Sequence, residues 1–161
     1  MRRIIYILAN VILSAIIFAS CSGVDEENTV NGFEYVDLGL PSGTKWATSN
    51  IGAKVPESAG TYFAWGEISE SNYTEAECET CNLSVADLTK HEIIKSLRLT
   101  ADYDAATYNM GIGWQTPTKQ QYEELKTNCT WMWQDKPSGY KIVAKNGKSI
   151  FLPTTGYMSD G

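Results

Sequence analysis

The sequence predicts an α+β domain of short antiparallel strands with two or three short helices. Three observations carry that prediction. Short runs with aromatic and β-branched residues at every second position, the period of a half-buried strand, alternate with Gly, Pro and Asn turn signals. A Thr118-x-x-Gln121 capping box opens a helical period in the second half. The 161 residues, 43% hydrophobic and 20% charged, suit one core, which excludes wholesale disorder and coiled coil.

The folded part starts near Phe33. Phe33-Glu34-Tyr35-Val36-Asp37 alternates as a strand, Gly39-Leu40-Pro41-Ser42-Gly43 turns the chain, and Lys45-Trp46-Ala47-Thr48 returns to complete a hairpin. Thr61 to Trp65 is a third strand candidate, stopped by Gly66. The segment 67–79 is acidic and polar, with Glu67, Glu70, Glu75, Glu77 and Glu79, and reads as a surface excursion. Ser84 then caps a short helix lined by Val85, Leu88 and Ile93. A second helix spans 102–109, with acids in its first turn and Gly111 and Gly113 beyond its end. The third, from Lys119 to Asn128, follows the capping box. The remainder is β: residues 130–134 place Trp131 and Trp133 on one face, and strands over 140–145 and 149–152 flank an Asn146-Gly147 turn suited to positive φ.

Residues 1–20 belong to a different physical class. Arg2 and Arg3 precede an apolar run from Ile4 to Phe18. Such a run of about fifteen residues is shorter than the roughly twenty needed to span a bilayer, so it reads as an export signal. Phe18-Ala19-Ser20-Cys21 resembles a bacterial lipoprotein lipobox, departing from it in Phe18 where Leu is usual. The resemblance implies acylation of the Cys21 thiol, cleavage before it, and a membrane anchor of two or three chains. Loss of residues 1–20 removes two Arg and no acid, making the charge of −6 more negative by two. Residues 21–32 then form an acidic tether, in which Ser22 to Asn28 is similar to the export signal of Bacteroidetes lipoproteins that reach the outer face of the outer membrane; the competing reading is a solvated linker. A periplasm-facing position is the alternative. An acidic surface of this kind does not track phosphates, which excludes nucleic acid as a partner.

Several blocks together resemble the Fibrobacter succinogenes major paralogous domain: Tyr35 to Leu40, Lys45 to Thr48 with Asn50 to Ala53, and Tyr62 to Glu67. Asp104-Ala105-Ala106, Trp114 to Thr118, and Asn146 to Pro153 with Gly156-Tyr157 complete the pattern. The similarity covers 33–161 and implies a fold distantly related to C-type lectins, on surface proteins to which no general activity is attached. Two departures matter. Gln115 and Thr116 stand where the family commonly has Arg and Met, so no role of that Arg carries over. The family pattern also continues past Gly156-Tyr157 into closing strands, so the resemblance implies a partial domain.

The chemistry-bearing residues are few. Cys78-x-x-Cys81 has the spacing of a local or long-range disulfide, of free thiols, or of half a metal or redox site, and with Cys129 makes three disulfide candidates. No second CxxC accompanies it, and His91 is the sole histidine. No catalytic residue, metal ligand set or cofactor is assigned. Trp65, Trp131 and Trp133 are candidate ligand-binding residues, with Tyr140 and Tyr157 as further aromatics, because indole faces stack on sugar rings; the competing use is core filling. Trp133-Gln134-Asp135 echoes one element of lectin calcium sites. The resulting expectation is a lipid-anchored surface module that binds glycan or protein without catalysis. The alternatives are an enzyme of unassigned class and a truncated, inactive paralogue.

Overall fold

The computed structural model describes residues 12–13, 28–70 and 78–156. Within them the chain is α+β, with three α-helices and short antiparallel sheets. The lipidation candidate Cys21, the tether up to Glu27, Glu75, Glu77 and Tyr157 lie outside the described residues.

The expected hairpin forms the centre of the first sheet. Strands β3 (Phe33–Val36) and β4 (Lys45–Ala47) pair antiparallel, Tyr35 opposite Ala47 and Val36 opposite Trp46. Asp37 accepts the Gly39 N–H at 2.9 Å, and Gly39 and Gly43 take φ of 64° and 73°, positions where a Cβ would be strained. On one flank β2 (Thr29–Val30) pairs with β3 through an Asn31-Gly32 turn at φ of 53° and 82°. Those are the angles of a type I′ hairpin, so residues assigned to the tether from the sequence belong to the sheet. On the other flank of β4 lies β1 (Ile12–Leu13), and beyond it β7 (Trp114–Gln115), giving the order β2-β3-β4-β1-β7.

Strand β4 faces a core cluster on each side. Ala47 and Trp114 pack with Ile51, Phe63, Ala105, Ala106 and Met110, and Tyr35 covers that cluster. Trp46 packs into the second cluster with Leu38, Leu40, Leu125, Ile142, Ala144, Ile150 and Leu152. Trp46, Leu125 and Ile142 are fully enclosed, and burial of an aliphatic side chain such as Leu125 contributes about 1.5–3 kcal/mol.

The second cluster rests on a separate three-stranded sheet. Helix α3 (Lys119–Asn128) has the expected bounds and both halves of its capping box. It delivers Leu125 to the core and runs directly into β8 (Cys129–Asp135). Strand β9 (Ser138–Ala144) returns beside it, and β10 (Ser149–Pro153) follows the Asn146-Gly147 turn.

Three expectations are corrected. Thr61 to Trp65 forms no strand among the described residues: Thr61 N–H bonds the Ile51 carbonyl at 2.8 Å, and the Tyr62 hydroxyl bonds the Thr155 carbonyl. The stretch is extended but tied into turns rather than a ladder. The helix expected over 102–109 is split into a 3-10 turn, Ala101–Tyr103, and α2, Ala105–Met110. Asp104 breaks it because its carboxylate caps the Ala106 and Thr107 N–H groups, which requires extended backbone at the cap. In α1 (Val85–Lys90), capped by Ser84, Leu88 is buried as expected but Val85 points to solvent. Beyond α1, strands β5 (Ile94–Lys95) and β6 (Arg98–Leu99) make a small hairpin that periodicity did not predict.

Candidate functional site

The β8–β9 register places Trp131 opposite Ile142 and Trp133 opposite Tyr140. Residues opposite one another share a sheet face, so Trp131, Trp133 and Tyr140 continue the apolar face of the second core outward. Tyr122 approaches the same row from α3. Ring centroids step from Trp46 to Tyr122 at 6.5 Å, to Trp131 at 5.8 Å, to Tyr140 at 5.6 Å and to Trp133 at 5.1 Å. All four contacts are edge-to-face, the arrangement that the ring quadrupoles favour.

The ladder therefore begins in the core and ends in water. Trp46 is wholly enclosed and Trp131 half-buried, whereas Trp133 is 49% exposed and Tyr122 and Tyr140 are each 41% exposed. Met132, 43% exposed, alternates onto the opposite face of β8. The outer end has a polar rim. Trp133 donates its indole N–H to the Asp135 carboxylate at 2.7 Å, and Thr154 hydrogen-bonds Ser138 at 2.8 Å on the neighbouring strand. The Trp133–Asp135 bond fixes an exposed indole whose ring would otherwise rotate. Partial burial pushes the Tyr122 phenol up, with Glu123 and Tyr140 adding to the shift.

Of the three ligand-binding candidates, the structure brings Trp131 and Trp133 together and leaves Trp65 apart. Trp65 packs, as Leu83, Leu99 and Tyr103 do, against the buried cluster of Leu88, Ile93 and Ile94, and lines a cleft that Arg98 and Lys119 also line. Gln115 and Thr116 line the same cleft, and the Thr116 N–H and hydroxyl bond the Asp104 carboxylate. Trp65 thus closes the small core beneath α1. Tyr122 is a functional candidate that the sequence did not single out; only the docking of α3 beside β8 brings its ring into the row.

The cysteines separate by environment. Cys78 and Cys81 form a disulfide, Cα to Cα 5.4 Å, which settles that pair as local. Its turn docks on the chain at Trp65–Glu67: Thr80 donates its hydroxyl hydrogen to the Trp65 carbonyl, and the Glu79 N–H donates to the Glu67 carboxylate at 2.9 Å. Cys129 is a free thiol at the junction of α3 and β8, and this corrects its place among the disulfide candidates. Burial pushes that thiol up, with Lys145 opposing weakly. His91 is exposed at the C-cap of α1. No group of three or more His, Cys, Asp or Glu that could hold a metal occurs among the described residues, and no described helix is long and apolar enough to cross a membrane.

No family model, curated protein or solved structure matches this chain.

Proposed function

We propose that this chain is an exported, lipid-anchored cell-surface module of C-type-lectin-like fold that binds glycan without catalysis, through Tyr122, Trp131, Trp133 and Tyr140. The aromatic ladder carries the reading. A row of rings rooted in the core and exposed at its outer end is rigid, so little side-chain entropy is lost when a sugar ring stacks on it. The polar rim at Asp135, Ser138 and Thr154 lies where sugar hydroxyls need partners. Anchoring rests on Arg2 and Arg3, the apolar run, and Cys21 after Phe18-Ala19-Ser20. The resemblance to the Fibrobacter succinogenes major paralogous domain supports both the surface role and the fold.

Two measurements test this. Metabolic labelling with a fatty acid should mark the protein and fail to mark Cys21→Ala. A glycan array probed with the full chain should give hits that Trp133→Ala and Tyr140→Ala each abolish while thermal unfolding stays within a few degrees of wild type. Binding that survives both substitutions, or an array without hits alongside a protein ligand, would reject the glycan assignment.

A further inference from the structure

Trp65 stands apart from the aromatic row, and the cleft it lines holds about 180 Å³. Leu97, Arg98, Leu99, Thr116 and Lys119 line it with Trp65. Two exposed cations on one cleft run against the sign of a chain whose net charge is −6. Arg98 donates to the Gln121 carboxamide oxygen at 3.4 Å, and the Thr118 N–H and hydroxyl donate to that same oxygen. This acceptor carries no charge and so does not neutralise the guanidinium. The acid among the described residues of the cleft is Asp104, 4% exposed, whose oxygens are committed to the Ala106, Thr107 and Thr116 donors. The accessible charge of the cleft is therefore positive.

The hairpin that carries Arg98 is held by a costly turn. Ser96 and Leu97 link β5 to β6 at φ of 52° and 61°, the type I′ geometry in which Asn and Gly are usual. The turn leaves Leu97 79% exposed at the cleft rather than in a core. An exposed leucine and a half-buried indole beside two cations suit a ligand with one apolar face and one anionic edge. A uronate, a sugar ring bearing a carboxylate, has both: C–H groups across one ring face and the charge at its rim. Helix α3 connects this cleft to the aromatic row. Lys119 lines the cleft, and Tyr122, three residues on and so its neighbour on the helix surface, stands in the row.

We infer that the glycan is acidic and that the cleft between Trp65 and Lys119 is the subsite for its uronate residue. Arg98 and Lys119 hold the carboxylate through charge-assisted hydrogen bonds, Trp65 and Leu97 cover the C–H face of the ring, and the neighbouring ring of the glycan reaches Tyr122. The class of ligand rests on the glycan reading above, while the cationic cleft does not. A free phosphate would satisfy the two cations and leave Trp65 and Leu97 uncovered.

The test is calorimetric titration of the full chain with tetragalacturonate and with its fully methyl-esterified form, which keeps the rings and removes the charge. The acid should bind about tenfold or more tighter than the ester at low salt, and the preference should shrink as ionic strength rises. Arg98→Gln combined with Lys119→Gln should lower the acid to the affinity of the ester. Arg98→Lys combined with Lys119→Arg keeps both charges and should retain most of the preference. Both side chains are exposed, so both double variants should unfold at the wild-type Tm. No binding of the acid, equal affinity for acid and ester, or a preference that survives the two Gln substitutions would overturn the inference. A glutamate-rich peptide that competes as well as the acid would overturn the sugar assignment in favour of a protein ligand. Trp133→Ala separates this inference from the reading it rests on. Ester binding lost in that variant, with no preference for the acid in wild type, keeps the aromatic row and rejects the cleft. Acid binding that survives Trp133→Ala and is lost with the two Gln substitutions keeps the cleft and rejects the row.

Discussion

Asn31 brackets Gly111: its side-chain amide donates to the carbonyls of Met110 and Ile112, each at 3.0 Å, on either side of that glycine. A Cβ at Gly111 would stand 2.6 Å from the Asn31 nitrogen, and Gly111 sits at φ 87°. Together with the Trp114 indole N–H bonded to the Val30 carbonyl at 3.0 Å, this contact staples the β2–β3 turn to the end of α2. Asn31→Ala loses both bonds and strains a left-handed backbone, so it should cost about 2–3 kcal/mol in denaturant unfolding. Gly111→Ala should cost a similar amount. The double variant should cost less than the sum, because each change already breaks the same contact.

Helix α1 ends in a two-bond motif that favours glycine but holds glutamate. The Ile93 N–H bonds the Leu88 carbonyl at 2.9 Å and the Glu92 N–H bonds the Thr89 carbonyl at 3.1 Å, while Glu92 takes φ 56°. Leu88 and Ile93 pack together beneath it. Glu92→Gly relieves the Cβ strain and should raise stability by up to about 1 kcal/mol, read as an increase in Tm.

These two sites show what the sequence carried and what it did not. The α3 capping box and the β3–β4 hairpin were legible because Thr118 with Gln121, and Tyr35-x-Asp37 followed by Gly and Pro, encode their geometry locally. Asn31-Gly32 carried an equally local signal, but the two-residue strand before it was too short to register as periodic. The split follows from Asp104 capping the Ala106 and Thr107 N–H groups, and the same carboxylate is held from twelve positions away by the Thr116 N–H and hydroxyl, which no local pattern shows. Trp131 and Trp133 were legible as one face of a strand, whereas the separation of Trp65 and the arrival of Tyr122 depend on how α1 and α3 pack.

Asp104 is the most connected buried acid among the described residues. Its carboxylate accepts the Ala106, Thr107 and Thr116 N–H groups and the Thr116 hydroxyl, at distances from 2.9 to 3.1 Å. Asp104→Asn keeps one acceptor oxygen and should cost about 1–2 kcal/mol; Asp104→Ala strands several buried donors and should cost about 3–5 kcal/mol. Chemical denaturation of both variants checks the ranking.

Glu67 gives the fold a pH dependence of known sign. Burial raises its carboxyl above the ordinary 4.5, with the Glu79 charge adding, against the lowering effect of the Glu79 and Thr80 backbone N–H groups. Folding therefore favours the protonated form. The associated stability is present below the unfolded value and is lost as pH rises through the higher folded value. Glu67→Gln stays neutral and still accepts the Glu79 N–H, so its stability relative to wild type should rise from about pH 4 to pH 7. A constant difference across that range would show that the carboxylate is not desolvated.

Cys129 should react slowly despite being the free thiol of the folded region. Only thiolate attacks a disulfide reagent or iodoacetamide, and burial raises this thiol's pKa, with Lys145 compensating only in part. In a Cys21→Ser background, native protein should therefore show one thiol, modified more slowly than a free cysteine peptide at the same pH, with the rate rising as pH increases. Selective reduction should then expose Cys78 and Cys81 and bring the count to three. Fast modification at neutral pH would place Cys129 in contact with solvent and with a stronger positive field than Lys145 supplies.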